Sequence, residues 1–529
     1  MAKQLLFGNE ARNSLKNGIK TISSAVKITL GPKGKNVVLD RKYATPLVTN
    51  DGVSIAKEIE LSNPFENMGA NLIKEVSIKT NDSAGDGTTT ACVLAESIVD
   101  AGLKNISSGA SPILIRRGIE KGVSAVVNKL KEISRPVSNE KEIMQVASIS
   151  AGSEEIGELI ANAFKEVGKD GVITIEESKT ASTSLKVTQG LEFDKGAISP
   201  YMLPADSNHI ELEHPLILVT DKKLSSINDL LPFLEKVTQT SRPLLIIADD
   251  VDGEVLSTLT VNTIRGSFIS VAVKCPSFGE KQKEFLEDIA MLTSARFISK
   301  DILIDLKTIT LEDLGEANIV KVFKDKTIII GGKSNIEEME KKKAFLHQIN
   351  LDELDGFDKV KIEDRLARLS GGVAVIEVGA PSEIEMREKK LRIEDALSAT
   401  KSATKEGIVI GGGCALVMCE DNLDELINTL SGDEKIGACI VKTSLEAPLR
   451  QIAKNSGQDD GVVANEVKKS IKNNIGYNAL TNEYVNMFES GIIDPTKVTR
   501  CAIENAGSVA ASILTTEVLV TDISQTEQK

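Results

Sequence analysis

Gly85-Asp86-Gly87-Thr88-Thr89-Thr90 runs directly into an apolar-rich stretch, Ala91 to Leu103. It reads as a glycine loop opening a helix. Two glycines let the backbone approach a ligand closely, and three threonines add hydroxyls and backbone N–H groups. Free N–H groups and the positive dipole end at a helix start favour a phosphate. Asp86, set among those donors, would be repelled by bare phosphate and so points to a bridging Mg2+, a hard cation that takes oxygen ligands. The alternative is a glycine turn with a threonine N-cap, and spacing alone leaves both open.

Outward from this loop, the flanking segments are helical. Ala11, Leu15, Ile19, Ile22 and Val26 recur at helical spacing over 10–30, and Gly31-Pro32 should stop that helix. Val37-Val38-Leu39 and Leu47-Val48 look like two short strands around a polar turn. Helical patterns return over 65–81, 88–103 and 112–133. The middle of the chain alternates instead. Strands are expected at 171–175, 185–188, 216–219, 244–248 and 270–273, with helices at about 226–238 and 253–265. Strand–helix–strand alternation indicates an α/β domain with parallel strands. A strand at 373–378 follows Gly371-Gly372, a candidate hinge with Gly190 as its partner. From about 385 onward helices dominate, interrupted by Gly411-Gly412-Gly413. The layout is nested, and the two chain ends are expected to pack as one domain.

At 529 residues, with 41% hydrophobic and 26% charged content, the chain should hold several domains with real cores. Trp is absent and Tyr and Phe number 4 and 13, so those cores must be aliphatic. A net charge of −14 disfavours nonspecific binding to nucleic acid or anionic membranes. No apolar run reaches the ~18 residues of a membrane helix and no signal-like hydrophobic segment opens the chain, which points to a cytoplasmic protein. Cys92, Cys275, Cys414, Cys419, Cys439 and Cys501 are dispersed and read as small buried thiols.

Other signatures fail. Gly331-Gly332-Lys333-Ser334 ends like a phosphate-binding loop, but Thr327 stands where the first glycine belongs, so it reads as a turn after the strand 327–330. His209, Glu211, Glu213 and His214 read as the polar face and end of a strand, since His209 and His214 would point to opposite faces. The charged run 335–369, which includes His347, reads as a solvated helical hairpin. Asp51 in Asn50-Asp51-Gly52, Asp395 in Arg392-Ile393-Glu394-Asp395-Ala396-Leu397, and Asp494 in Ile493-Asp494-Pro495 are each, taken singly, turn or surface carboxylates.

Together these segments carry a resemblance. Thr29-Leu30-Gly31-Pro32-Lys33-Gly34, Glu66-Asn67-Met68-Gly69-Ala70, the 85–90 loop, the 392–397 segment, Gly476-Tyr477-Asn478-Ala479 and Asp494-Pro495-Thr496-Lys497-Val498-Thr499-Arg500 resemble group I chaperonins, the GroEL family. The likeness is collinear to about Asp522. It implies a multidomain α and α/β architecture: a mainly helical equatorial domain (1–132 and 406–529), a small α/β intermediate domain (133–188 and 374–405) and an α/β apical domain (189–373). It also implies seven-membered rings, usually stacked in pairs, a 10 kDa cochaperonin lid, nonnative polypeptides as clients, and ATP, Mg2+ and K+ as cofactors.

Position by position, the resemblance implies that Thr29, Leu30, Gly31 and Pro32 turn against the nucleotide phosphates, beside Asn50. Asp86 would ligate Mg2+, and Gly87, Thr88, Thr89 and Thr90 would form the phosphate loop. Asp51 and Asp395 would lie near the γ-phosphate, with Asp395 positioning the attacking water once its domain closes. Gly412 would contact the nucleoside, Asn478, Ala479 and Leu480 the adenine, and Asp494 the ribose. Tyr201, Met202, Leu231, Leu234, Leu256, Leu259, Thr260 and Val261 would form the surface that holds unfolded chains and the lid. The i, i+3 spacing of Leu231/Leu234 and Leu256/Leu259 would by itself read as core packing.

The sequence departs from the family pattern in places. Asn50 stands where a lysine is usual, and Lys405 where an acidic residue is typical. Ala197, Met202 and Thr260 replace larger or more apolar residues, and the chain ends Thr526-Glu527-Gln528-Lys529 rather than in a Gly-Gly-Met tail. Two rival readings are a holding or scaffold protein without a full ATP cycle and a small-molecule phosphotransferase. No sequence feature supplies the second substrate pocket that the latter needs.

Overall fold

A computed structural model describes residues 3–40, 46–168, 171–178, 180–204, 207–301, 306–334, 339, 341–342, 365 and 372–522. The chain forms two compact units. One comprises Met1–Lys165, Glu177–Ser184 and Val378–Lys529, the other Glu166–Glu176 and Leu185–Glu377.

The first leg of the first unit runs β1 (Lys3–Phe7), α1 (Gly8–Val26), β2 (Val37–Leu39), β3 (Leu47–Thr49), α2 (Gly52–Glu58), α3 (Pro64–Ala84), α4 (Thr88–Ser107), α5 (Pro112–Ile133), α6 (Glu140–Ala151) and α7 (Glu154–Val167). Local chemistry sets these boundaries. Asn63 caps α3 through Phe65 N and Glu66 N with Pro64 at the first helical position, and Asn139 caps α6 through Glu142 N. Gly85 ends α3 in the left-handed region at φ 73°.

The second unit carries β4 (Val172–Glu177), β5 (Ser184–Phe193), β6 (His209–Glu213), β7 (Leu216–Val219), β8 (Lys223–Leu224), α8 (Ile227–Gln239), β9 (Leu244–Ala248), β10 (Asp250–Val251), α9 (Gly253–Arg265), β11 (Ser270–Lys274), α10 (Glu280–Thr293), β12 (Gly315–Phe323), β13 (Thr327–Gly332) and β14 (Gly372–Val378). The strands β11, β9 and β7 are parallel, with Leu218 beside Ile246 and Ile246 beside Ala272, as the strand–helix alternation predicted. The sheet continues through β12, β13, β5, β14 and β4, and β6 pairs with β12.

The return leg of the first unit runs α11 (Glu383–Glu406), β15 (Ile408–Ile410), α12 (Cys414–Met418), α13 (Glu420–Thr429), α14 (Gly432–Ser444), α15 (Ala447–Asn455), α16 (Asp460–Ser470), β16 (Ile475–Asn478), β17 (Glu483–Asn486), β18 (Ile493–Pro495), α17 (Thr496–Leu514) and β19 (Val518–Asp522). The antiparallel pair β1–β19, Lys3 opposite Asp522, joins the two ends of the chain. One aliphatic core spans both legs, from Leu15, Ile73, Leu94 and Ile119 to Val441, Ile503 and Leu514, with Phe65 and Tyr477 its only buried rings among the described residues. The second unit has its own core around Phe233, Ile246, Val271 and Ile289.

The structure changes some readings and leaves others as they were. Gly331 and Gly332 are no turn: they close β13, with Gly332 opposite Ala317. A Cβ on Gly332 would fall 2.3 Å from the Leu292 carbonyl oxygen, so close backbone approach explains the glycine. His214 leaves the strand at φ 47°, so the alternation that would oppose it to His209 stops at Glu213, while His209 stacks on Phe323 at 4.8 Å. Gly190 lies inside β5 opposite Ile330, packed against Val373. All six cysteines are free, and all but Cys439 are buried. Most of the charged run 335–369, with His347, lies outside the described residues, as do Gly371 and the terminal Thr526–Lys529.

Candidate functional site

The centre of the first unit is the turn between α3 and α4. The residue that caps α4 is Gly87, in the left-handed region at φ 81°, and no side chain caps this helix. The threonine N-cap reading therefore fails. Thr88 and Thr89 are instead buried against the turn after β3, where a Cβ on Gly52 would lie 2.4 Å from Thr89 Oγ1 and 2.8 Å from Thr88 Oγ1. Thr29, ending a short 3-10 turn after α1, places its hydroxyl 3.4 Å from that of Thr89. The 31–34 turn beyond it closes through Gly34 N donating to Gly31 O at 2.9 Å. Asn455 holds this turn in place, its Nδ2 donating to Lys27 O and Leu30 O at 2.9 and 2.8 Å.

Asp51 and Asp86 flank this helix start, and Asp395 and Asp494 interact with them electrostatically. Asp51 caps α2, accepting from Val53 N at 3.1 Å and Ser54 N at 2.9 Å. Asp86 accepts from Gly87 N at 2.5 Å and from the Ser150 hydroxyl, on the last turn of α6, at 2.6 Å. Burial raises the Asp86 pKa, those two hydrogen bonds oppose the rise, and the charge of Asp51 adds to it. Burial, followed by the charges of Asp51, Asp86 and Glu394, holds Asp395 well above the usual carboxylate range. Burial, with Asp86 adding, pushes Asp494 up to about 7. Among the described residues no Lys or Arg pairs with any of the four. Asp51 acts through its charge on Asp86, both act on Asp395, and Asp86 acts on Asp494, so a bound cation would relieve repulsion among them.

Asp395 reaches this cluster because α11 is docked on the loop. A Cβ on Gly85 would fall 2.2 Å from Ser398 Cβ, and Ser402 Oγ donates to Ala84 O at 3.0 Å.

The remaining sequence-predicted residues lie in the same unit. Val409 pairs with Asp494, and a Cβ on Gly411 would lie 2.9 Å from Asp494 Oδ1. Gly412, at φ 63°, faces Tyr477 O in the β16–β17 hairpin. Asn478 turns its Oδ1 onto Leu480 N at 3.0 Å, Ala479 is buried and Leu480 is exposed. Leu30 is half-buried, and Gly31, Pro32 and Asn50 are exposed. Ser150, Ser398, Asn455 and Asn482 were not singled out by the sequence. Asn482 accepts from Tyr477 Oη at 2.8 Å and from Lys33 Nζ at 3.1 Å. Nothing in their local sequence marks Ser150, Ser398 and Asn455, whose contacts with the site lie on distant segments, while Asn482 joins nearby Tyr477 to distant Lys33.

In the second unit the apolar candidates divide. Tyr201, Leu231 and Val261 are 72%, 47% and 44% exposed, and Leu256 and Thr260 are half-buried. Met202, Leu234 and Leu259 are core residues. The buried face of α8 is Leu230, Phe233, Leu234 and Val237, so the Leu231/Leu234 pair straddles its edge. On α9, Val255 and Leu259 are buried, and the exposed apolar row is Val261 with Ile264. Ile264, 64% exposed, was missed although it stands three residues beyond Val261.

The start of α4 thus has no side-chain cap, and Asp51 and Asp86 lie on the turns beside it. Among the described residues no three His, Cys, Asp or Glu side chains converge as metal ligands. A cation would thus draw one or two carboxylates from the protein and the rest from the bound anion and water, the usual coordination of Mg2+ in nucleotide sites. The model of the TCP-1/cpn60 chaperonin family matches residues 22–524, and the chain belongs to that family. Its members are chaperones of protein folding and are generally ATPases. None of the described helices is long and apolar enough to cross a membrane.

Proposed function

We propose that this chain is a group I, ATP-driven folding chaperonin of the cytoplasm. The observation that carries the reading is the set Asp51, Asp86, Asp395 and Asp494 around the uncapped start of α4. The α4 N–H groups and the 29–32 turn bind the phosphates, Asp86 is the principal ligand of Mg2+, and Asp494, Gly412 and the 478–480 hairpin hold the nucleoside. Bound Mg2+ would supply charge neutralisation at the phosphate oxygens. Asp395, with a raised pKa and a buried carboxylate, orients the attacking water and takes its proton, while Asp51 stays fixed by its two backbone donors.

The three-domain division at 132/133, 188/189, 373/374 and 405/406 fits this reading, as do seven-membered, stacked rings, a 10 kDa cochaperonin and K+ dependence. Nonnative chains would dock on Tyr201, Leu231, Leu256, Val261 and Ile264, a flexible apolar surface without sequence choice. Asp395→Ala tests the reading. It should keep ATP affinity and lose roughly 10²–10⁴ in turnover, and wild-type turnover in this variant would refute the assignment. A holding protein with weak turnover is the second reading, favoured by exposed Asn50 where a cation is usual. Asn50→Lys would then raise turnover, and failure of the wild type to refold a client with its cochaperonin would favour it.

A further inference from the structure

We infer that Ser150 is a positioning residue for the cation-ligating carboxylate of Asp86, and that through it the last turn of α6 sets how tightly the site holds a divalent cation. The inference rests on the nucleotide-site reading above.

Ser150 lies 64 positions from Asp86, yet its hydroxyl donates to Oδ2 at 2.6 Å while Gly87 N donates to Oδ1 at 2.5 Å. With one donor on each oxygen, the carboxylate cannot turn about its own axis. Each oxygen keeps a further lone pair for a cation. The hydroxyl is not explained by the helix that carries it, since Ala is the better helix former. A helical serine commonly folds back onto its own i−4 carbonyl; this one reaches to another segment. The same turn of α6 is held from the other side, where Arg392 Nη1 donates to Ala151 O at 3.3 Å. Arg392 stands one helical turn before Asp395 on α11. The end of α6 thus ties the cation ligand to the helix that carries the water-orienting carboxylate.

Partners of metal ligands are worth roughly 10–100-fold in metal affinity. The test is calorimetric titration of Mg2+ into the full chain saturated with the nonhydrolysable β,γ-imido analogue of ATP. It compares wild type, Ser150→Ala, Ser150→Thr and Asp86→Ala, with thermal melting and nucleotide binding in EDTA alongside. Ser150→Ala should need about ten-fold more Mg2+, with unchanged melting and unchanged binding in EDTA, and Ser150→Thr should return the requirement towards wild type. An unaltered Mg2+ requirement in Ser150→Ala, with Asp86→Ala strongly impaired, overturns the inference and leaves the site reading standing. If Asp86→Ala itself binds Mg2+ like wild type, the site reading fails instead. Should Ser150→Ala not fold, Ser150→Cys, similar in size but a weak donor, carries the same comparison.

Discussion

Gly85→Ala should uncouple nucleotide binding from hydrolysis, and the structure sets the size of the effect. Gly85 sits at φ 73°, where a side chain costs about 1–2 kcal/mol. Its new Cβ would stand 2.2 Å from Ser398 Cβ, whereas ordinary van der Waals contact begins at 3.4 Å. Helix α11 must therefore back away by about an ångström, and a misplacement of that size can cost about 10²-fold in rate. Asp395 lies one turn from Ser398 on the same helix and moves with it. The proposed phosphate loop, from Gly87 onward, is not touched. Steady-state ATPase should fall about 100-fold, while binding of a nonhydrolysable analogue changes little. The double variant Gly85→Ala/Ser398→Gly removes the colliding Cβ and should regain most of the turnover. Ser398→Gly alone, which costs the helix about 1 kcal/mol, should stay close to wild type. Turnover by Gly85→Ala within about three-fold of wild type, some 0.65 kcal/mol, would refute the argument that α11 must seat on the loop.

Three further outcomes are expected. Asp494, raised to about 7 in the fold, binds more protons folded than unfolded between about pH 4 and 7. Its contribution to stability is complete below that window and lost as pH rises through 7, so Asp494→Asn should flatten the fall in melting temperature between pH 5 and 8. In the second unit, Val261→Ser should weaken capture of a nonnative chain without lowering stability, whereas buried Leu259→Ala should lose about 2–5 kcal/mol in denaturant unfolding. Amide exchange along α11 should slow on adding Mg2+ and nucleotide, and in Asp395→Asn it should be slow without them; equal exchange in all states would dismiss electrostatic control of docking.

The legible part of this protein is its local part. The end of α3 at Gly85, the start of α5 at Pro112 and the strands 244–248 and 270–274 follow from residues within a few positions of one another, and the sequence places them closely. So does the glycine loop. Readings that depend on which side of an element faces inward fared worse: on α8 the i, i+3 spacing of Leu231 and Leu234 is compatible with either face, and only the packing of Phe233 and Val237 makes Leu234 a core residue. The three-residue strands β15 and β18 exist because they pair with each other across the chain, and carry no periodicity of their own. Ser150, Ser398 and Ser402 are ordinary helical serines until the fold sets them against 84–86.

Those three serines also explain why small groups fill the contact between α11, α6 and the glycine loop. Burial and the fields of Asp51 and Asp86 disfavour the charged form of Asp395, so ionising it in the docked arrangement is opposed electrostatically. The Gly85–Ser398 contact, the bond from Ser402 to the Ala84 carbonyl and the buried apolar face of α11, with Ile393, Ala396, Leu397, Ala399 and Ala403, offset that repulsion. A tighter seam would keep α11 seated whatever the site held, and a looser one would leave Asp395 away from the water. In the proposed cycle a divalent cation would favour docking, because it converts mutual repulsion among the carboxylates into shared attraction. In the proposed cycle, the carboxylates that serve hydrolysis would also sense whether a cation and nucleotide are present.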